Sequence, residues 1–306
     1  MAECLSALKN KITRLRTRAG LFSSIRRFFD ARDFLEVESA IRIHAPAPEE
    51  YIECIGAEGM LLRSSPELEM KTMLAAGYEK IYQIGSCFRQ GEYGRKHREE
   101  FTMLEWYEVG SDYVKLRDFV TGFIRQAAEE LLHNQTLTFK GMKIDLSCEP
   151  EVITVEEAFR KYAQISCAEA EKIDQFDEIM VCRVEPNLGR GRLTYLCDYP
   201  ANRAALARLK KSNPEYAERW ELYINGLELA NAYGELIDPA EQRRRFDKSH
   251  EFRRAAGMKC YPDSEYFYEA IAAGIPECVG AAMGLDRLAM VFTDAEDIGE
   301  VRVDLC

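Results

Sequence analysis

The 306-residue sequence predicts an α+β fold, and two observations carry that expectation. Segments with apolar residues at helical spacing and recognisable end signals occur near residues 14–32, 64–77 and 112–132. Between and after them, strand-type runs come in neighbouring pairs joined by polar loops, at 81–109 and 218–236.

Taken in chain order, Leu15, Leu21, Phe22, Ile25, Phe28 and Phe29 give a helix-like pattern with basic residues between them. "FLEVESAIRI" (34–43) alternates like a strand. "RSSPELEMKTMLAAG" (63–77) is marked as a helix at both ends: Ser64 or Ser65 can cap it, Pro66 suits the first turn, and Gly77 ends it. Glu67, three residues after Ser64, has the spacing of a capping box. "IYQIGSCF" and "FTMLEWYEV" read as strands on either side of a loop, and a helix follows over about 112–132. Residues 150–215 are mixed, with one clear strand in "LTYLCDYP".

The bulk composition narrows the function classes. The chain is 47% apolar and 30% charged with 10 prolines, as expected of a folded globular protein. No run approaches the roughly 18 apolar residues that cross a bilayer, and the first 20 residues lack the apolar stretch of a secretory signal. The ten cysteines are scattered singly from Cys4 to Cys306 with no CxxC pair. They read as reduced thiols of a cytoplasmic protein, and neither a zinc site nor a redox motif is indicated. A net charge of -11 is a poor footprint for nucleic acid, whose binding rests on neutralising phosphates.

Against that acidic background, "FRQGEYGRKHREEF" (88–101) gathers Arg89, Arg95, Lys96, His97 and Arg98 into ten positions. Such a loop is either a solvated connection or a grip for a small anion. In "ERWELYINGLELANAYGEL" (218–236), Asn225-Gly226 is a strong signal for a two-residue hairpin turn. That register pairs Ile224 with Leu227, Tyr223 with Glu228, and Glu221 with Ala230. Glu221 and Glu228 then share a face about 7–8 Å apart. The spacing suits a hard divalent ion such as magnesium, and equally an exposed acidic strand face. In "GAAMGLDRLAMVF" (280–292), Arg287 near the start of a helix-like stretch opposes the helix dipole. Such local violations collect at functional sites, although an ordinary surface pair with Asp286 accounts for it too.

In order and spacing, "SSPELEMKTMLAAG", "FRQGEYGRKHREEFTMLEWY", "GLELANAYGEL" and "GAAMGLDRLAMVF" resemble the catalytic core of class II aminoacyl-tRNA synthetases. Within that class they are most similar to the lysyl branch and its elongation factor P lysine ligases, from about residue 20 to residue 300. The resemblance implies a mixed, mostly antiparallel sheet flanked by helices, in one catalytic domain over 1–306 without an N-terminal anticodon-binding domain. It further implies a homodimer that uses ATP and Mg2+ to form an aminoacyl adenylate. Arg89 and Arg287 would be the catalytic arginines, Arg89 at the α-phosphate and substrate carboxylate. Arg287 and His97 would hold the γ-phosphate end, and Phe101 would stack on adenine. Gln90, Gly91, Arg98, Glu228, Leu229 and Gly284 would complete the nucleotide site, with Glu221 and Glu228 holding magnesium. On the amino-acid side, Glu67 would take the amine near the carboxylate, beside Ser65 and Pro66. Glu235 and Tyr107 would take the distal amine, and Asn231 the carboxylate. Read singly, Glu67 could close a capping box, Tyr107 could be core, and Asn231 could be a strand-edge polar group.

Ala282 stands where the tRNA enzymes carry glycine and the protein ligases alanine. The resemblance therefore points to (R)-β-lysine, in preference to α-lysine, as substrate. It makes a lysine of elongation factor P the acceptor, with neither tRNA nor membrane as partner. The chain also departs from the family pattern. Gln90-Gly91 replace Asn-Glu, Arg98-Glu99 replace Asn-Pro, Ala232 replaces glycine in the acidic hairpin, and Ala40 replaces a proline of the first motif. Those departures leave two other readings open: an enzyme activating a different amino acid, and a non-catalytic paralogue that binds an amino acid or a partner protein.

Overall fold

The structure, a computed structural model, describes residues 2–304. Its centre is an eight-stranded mixed sheet. In chain order the strands are β1 (Leu35–Glu36), β2 (Lys80–Phe88), β3 (Glu100–Val109), β4 (Glu151–Thr154), β5 (Thr194–Cys197), β6 (Arg219–Ile224), β7 (Leu227–Gly234) and β8 (Cys278–Gly284). Across the sheet they run β1-β2-β3-β8-β7-β6-β5-β4. Only the two edge pairs, β1 with β2 and β4 with β5, are parallel; the five pairs between them are antiparallel. The six principal helices are α1 (Ala2–Asp30), α2 (Glu67–Ala75), α3 (Lys115–Leu132), α4 (Pro239–Ala255), α5 (Glu265–Gly274) and α6 (Leu285–Phe292).

Because side chains alternate along a strand, the central strands have two chemically different faces. One carries Trp106, Ala281, Ala232 and Trp220 in one cross-strand row, and Leu104, Met283, Ala230 and Leu222 in the next. All eight are buried in the main core, where α1, α3 and α6 cover them with Phe28, Phe29, Phe123, Leu288 and their neighbours. The opposite face carries Tyr107, Gly280, Tyr233 and Arg219 in one row, and Glu105, Ala282, Asn231 and Glu221 in the next. A polar row in the middle of a large sheet is costly to bury unless it is paired or does chemistry. Here α2, α4 and α5 pack over one end of that face through Leu68, Phe246, Phe267 and Ile271. The rest lines a cleft.

Several sequence expectations change in detail. "FLEVESAIRI" is two short strands, Leu35–Glu36 and Arg42–Ile43, the second pairing outside the main sheet. Pro66 is the cap residue of α2, not a residue of its first turn. Ser65 Oγ accepts from Glu67 N at 3.0 Å, while the Glu67 carboxylate goes to Lys71, so no capping box forms. In the hairpin, Ile224 faces Leu227 and Tyr223 faces Glu228 as expected, but Glu221 faces Asn231 and not Ala230. The register shifts between Leu222 and Tyr223, and Leu229 is the extra residue. That bulge brings Glu228 and Asn231, three residues apart, onto the same face. Eight cysteines are free thiols; the side chain of Cys4, and Cys306, lie outside the described residues. Among the described residues no helix is long and apolar enough to cross a membrane.

Candidate active site

Along β7 and its continuation, Glu228, Asn231, Tyr233 and Glu235 all line the cleft, a span of roughly 20 Å at strand spacing. The two ends differ in charge. At the Glu235 end lie Glu49, Glu67, Glu105 and Glu235, and at the Glu228 end lie Arg89, Lys96, His97, Arg98 and Arg287.

The acidic end is built on α2, β3 and the end of β7. Glu235 is 1% exposed and approaches Lys71 Nζ at 2.6 Å; Lys71, also 1% exposed, bonds Glu67 Oε1 at 2.6 Å. Lys71 thus bridges Glu67 and Glu235 as a buried ion pair with both. Tyr107 Oη donates to Glu105 Oε1 at 2.7 Å, and Ser65 Oγ donates to Glu105 Oε2 at 2.9 Å. The Tyr107 hydroxyl is thus engaged with Glu105, while its ring reaches Glu235 over Gly280. A β-carbon added at Gly280 would sit 2.3 Å from Glu235 Oε1 and 2.4 Å from Tyr107 Cε1.

Burial, followed by repulsion from Glu67, pushes the Glu105 pKa up to about 8. Burial likewise raises Glu235 to about 7, against the opposing pull of Lys71. Burial raises Glu49 to about 7 despite Arg89 nearby. For Lys71, burial disfavours the charge, but Glu235 and Glu67 outweigh it and its pKa is raised. This end of the cleft holds carboxylates short of positive charge.

The basic end is the loop between β2 and β3 together with the start of α6. Arg287 donates to the Glu228 backbone oxygen at 3.0 Å and lies 2.6 Å from His97 Nε2. Burial, then Arg287, lowers the His97 pKa, so the ring is neutral and able to accept from the guanidinium. The Arg89 guanidinium stands 5.2 Å from the Phe101 ring centre, and its buried Nε has no partner among the described residues. Asn231 Oδ1, between the two ends, is also buried without one. Orphaned buried polar atoms are rare in folded proteins. Two of them, on Asn231 and Arg89, line one cleft, and with the Glu235 carboxylate they match a ligand with an amine, a carboxylate and phosphates.

The remaining sequence candidates separate. Leu229, Ala282 and Gly284 line the cleft, Ala282 lying between Glu105 and Asn231 on its floor. Pro66 is buried beside it without lining it. Gln90 and Gly91 are exposed; Gly91 takes a φ of 79° and donates its N–H to Glu99 at 2.7 Å, a loop-shaping role. Arg98 lines the cleft, but its guanidinium is committed to Asp297 at 2.8 Å and Asp304 at 3.3 Å, which ties the loop to the C-terminal segment. Asp286 is not a surface partner of Arg287. It is 1% exposed and accepts from Arg18, Arg302 and the Thr102 backbone.

A magnesium ion fits the acids at the Glu228 end, where Glu228 lines the cleft and Glu221 lies behind it. Glu221 is held by Arg219 at 2.6 Å and by Tyr223 Oη at 2.7 Å, pointing along the same face as Glu228. Burial, then Glu221, raises the Glu228 pKa, a strain that a cation relieves. Glu185 joins them: burial and both acids raise it to about 7. No closed cage of three or more ligating side chains exists among the described residues. Magnesium bound by one or two carboxylates completes its shell with phosphate oxygens and water.

Lys71, Glu105, Glu49 and Glu185 escaped the sequence reading. Glu105 had a signal, since it precedes Tyr107 by two in a strand and must share its face. Lys71 stands four residues after Glu67 on a helix, a spacing that surface pairs share, so nothing local marks its burial.

Residues 5–303 match the family of class II tRNA synthetases for D, K and N. The chain belongs to this family. It is 36% identical over 305 residues to the elongation factor P–(R)-β-lysine ligase of Proteus mirabilis, covering 95% of this chain and 94% of that one. The ligase of the same name from Photorhabdus laumondii is 37% identical over 306 residues, with the same coverage. The one from Salmonella schwarzengrund is 34% identical over 306 residues, again at 95% and 94%.

Proposed function

We propose that this protein activates (R)-β-lysine with ATP as an aminoacyl adenylate and transfers the acyl group to a lysine side chain of elongation factor P. The observation that carries this reading is the division of one cleft into an acidic and a basic end. A dibasic amino acid and a polyphosphate fit it head to tail. The relatives' shared name supplies the β-lysine and the protein acceptor.

In the first step the substrate carboxylate attacks the α-phosphorus, and the bond to the β-phosphate oxygen breaks to release pyrophosphate. Arg89, free at Nε and close to Phe101, holds the attacking carboxylate and the α-phosphate together and stabilises charge building at phosphorus. Phe101 offers its face to adenine. Arg287, with neutral His97 beside it, receives the outer phosphates. Glu228 and Glu221 would hold magnesium, which supplies neutralisation of the phosphate charge. Glu235 takes the distal amine, Glu67 the amine nearer the carboxylate, and Asn231 orients the carboxylate. In the second step the neutral amine of the acceptor lysine attacks the adenylate carbonyl, an amide forms, AMP leaves, and the amine proton passes to solvent. The Ala282 methyl on the floor narrows the pocket, a change of about 1–3 kcal/mol between α- and β-amino isomers.

A homodimer in the cytoplasm, acting on a protein and not on tRNA, is part of the same reading. The net charge of -11 argues in the same direction, since it opposes a phosphate-rich acceptor. Amino-acid-dependent exchange of pyrophosphate into ATP tests the first step. It is expected to be strongest with (R)-β-lysine among β-lysine, α-lysine and monobasic amino acids. Strongest exchange with a monobasic amino acid would overturn the pocket assignment.

A further inference from the structure

The proposed amino-acid pocket contains a lysine of its own. Lys71 Nζ, 1% exposed, stands between Glu67 and Glu235 at 2.6 Å from each. These are the two acids that the reading above assigns to the two amines of the substrate. An ammonium already present at both receptors is at first sight a competitor. The surroundings say otherwise. Glu67, Glu105 and Glu235 all line this end of the cleft, and Tyr107 and Ser65 give Glu105 only neutral hydrogen bonds. The other ionisable neighbours are Glu49, drawn to Arg89 and repelled by Glu67, the Tyr233 hydroxyl, which burial keeps protonated, the Cys278 thiol, which burial, then Glu235, holds neutral up to about 12, and Arg208, paired with Glu218 at 2.6 Å. Lys71 offsets only part of the charge that these acids can carry, and the two ammonium groups of a dibasic amino acid supply the rest.

We infer that Lys71 is a built-in counter-cation that holds Glu67 and Glu235 apart and aimed and offsets part of their charge, and so sets the charge the pocket demands of its substrate. Lys71 is a positioning and specificity-determining residue. It takes Glu67 Oε1 and Glu235 Oε2 and leaves Glu235 Oε1, which lies over Gly280, for the distal amine of the substrate, so that the amine completes a carboxylate already held in place. Without the buried ammonium, Glu67 and Glu235 face each other and Glu105 uncompensated, and Glu235 holds its proton to higher pH. The pocket then no longer presents two separate anionic receptors. This inference rests on the proposed function, which places the substrate amines at these acids.

The test is Lys71→Met, which keeps the unbranched stem one atom shorter and removes the charge, measured by amino-acid-dependent pyrophosphate exchange from pH 6 to 9. The expected result is a rise of tenfold or more in KM for the dibasic amino acid at pH 7, with KM for ATP unchanged. The ascending limb of kcat/KM shifts to higher pH by about one unit. A companion variant, Lys71→Ala, leaves space for a small amine, and added propylammonium restores its activity while doing nothing for Lys71→Met. Should Lys71→Met fail to fold, Lys71→Ala folded in propylammonium carries the same comparison, since a loss of packing alone is not repaired by a cation. A folded Lys71→Met with unchanged KM and pH profile overturns the inference, as does Lys71→Ala rescued equally by neutral propanol. Wild-type protein without exchange on any dibasic amino acid removes the proposed function and this inference with it. Normal wild-type exchange beside an indifferent variant removes this inference alone.

Discussion

Replacing Gly280 by alanine adds one methyl group to the floor of the cleft, between the two side chains assigned to the distal amine. The new carbon would stand 2.3 Å from Glu235 Oε1 and 2.4 and 2.6 Å from Tyr107 Cε1 and Cδ1. Ordinary contacts of this kind are about 3.5–4.0 Å, so the neighbours must withdraw by roughly 1 Å or more. Neither has room. Glu235 is 1% exposed and drawn to Lys71, and Tyr107 is 3% exposed with its hydroxyl bonded to Glu105. The φ of Gly280 is not in the left-handed region, so the effect is purely one of space. Overpacking at such a site costs about 1–3 kcal/mol, and a spoiled charge-assisted hydrogen bond to the substrate amine costs about 1.5–3 kcal/mol. Taken together, about 3 kcal/mol in amino-acid binding is about a hundredfold in KM. The nucleotide end lies further along the same strands, with Gly284 four residues beyond Gly280, so KM for ATP is expected to stay within about threefold. Pyrophosphate exchange with each substrate varied in turn reads both numbers, and a thermal melt confirms that the variant is folded. A folded Gly280→Ala with wild-type KM for the amino acid would refute the placement of the distal amine over Gly280.

The same geometry sets four further outcomes. Burial raises Glu235 to about 7 and Glu105 to about 8, so the free pocket holds protons that a cationic substrate displaces. Amino-acid affinity is expected to climb between pH 6 and pH 8, by up to tenfold per unit, while ATP affinity stays flat; calorimetry over that range decides it. The same raised values mean that the folded state binds more protons than the unfolded one. Their contribution to stability is therefore full below about pH 4.5 and is lost as pH rises through 7 to 8. Asp286→Ala leaves Arg18 and Arg302 without their buried partner and is expected to cost about 3–5 kcal/mol in denaturant unfolding. A loss under about 1 kcal/mol would contradict its role as the anchor of α6. Glu228→Gln is expected to raise the magnesium concentration for half-maximal exchange about tenfold, the equivalent of about 1.4 kcal/mol, and a magnesium titration would expose an unchanged requirement.

The reach of the sequence is clearest in the acidic hairpin. Asn225-Gly226 identified the turn, and the two pairs next to it stand as expected, because turn type sets local register. Two residues further on, the bulge at Leu229 moves Glu221 from Ala230 to Asn231. Nothing local marks it, since Leu229 is an ordinary strand residue. Its reason is tertiary: Glu228 and Asn231 both reach the cleft while Ala230 and Ala232 stay in the core. The α2 segment shows the same limit. Its helix was legible from Pro66 and Gly77, but Lys71 acquires its meaning from Glu235, 164 residues away in the chain. The basic loop told its charge but not its division of labour, because Asp297 and Asp304, which claim Arg98, come from the far end of the sequence.

The most direct test of the account is the second half-reaction. Purified protein, ATP, magnesium and (R)-β-lysine are incubated with unmodified bacterial elongation factor P, and the acceptor is examined by intact-protein and peptide mass spectrometry. The account predicts a mass gain of one lysyl group on a single lysine side chain, dependent on ATP and abolished in Arg89→Ala. An acceptor that stays unmodified while pyrophosphate exchange with β-lysine proceeds would contradict the assignment of elongation factor P as the partner.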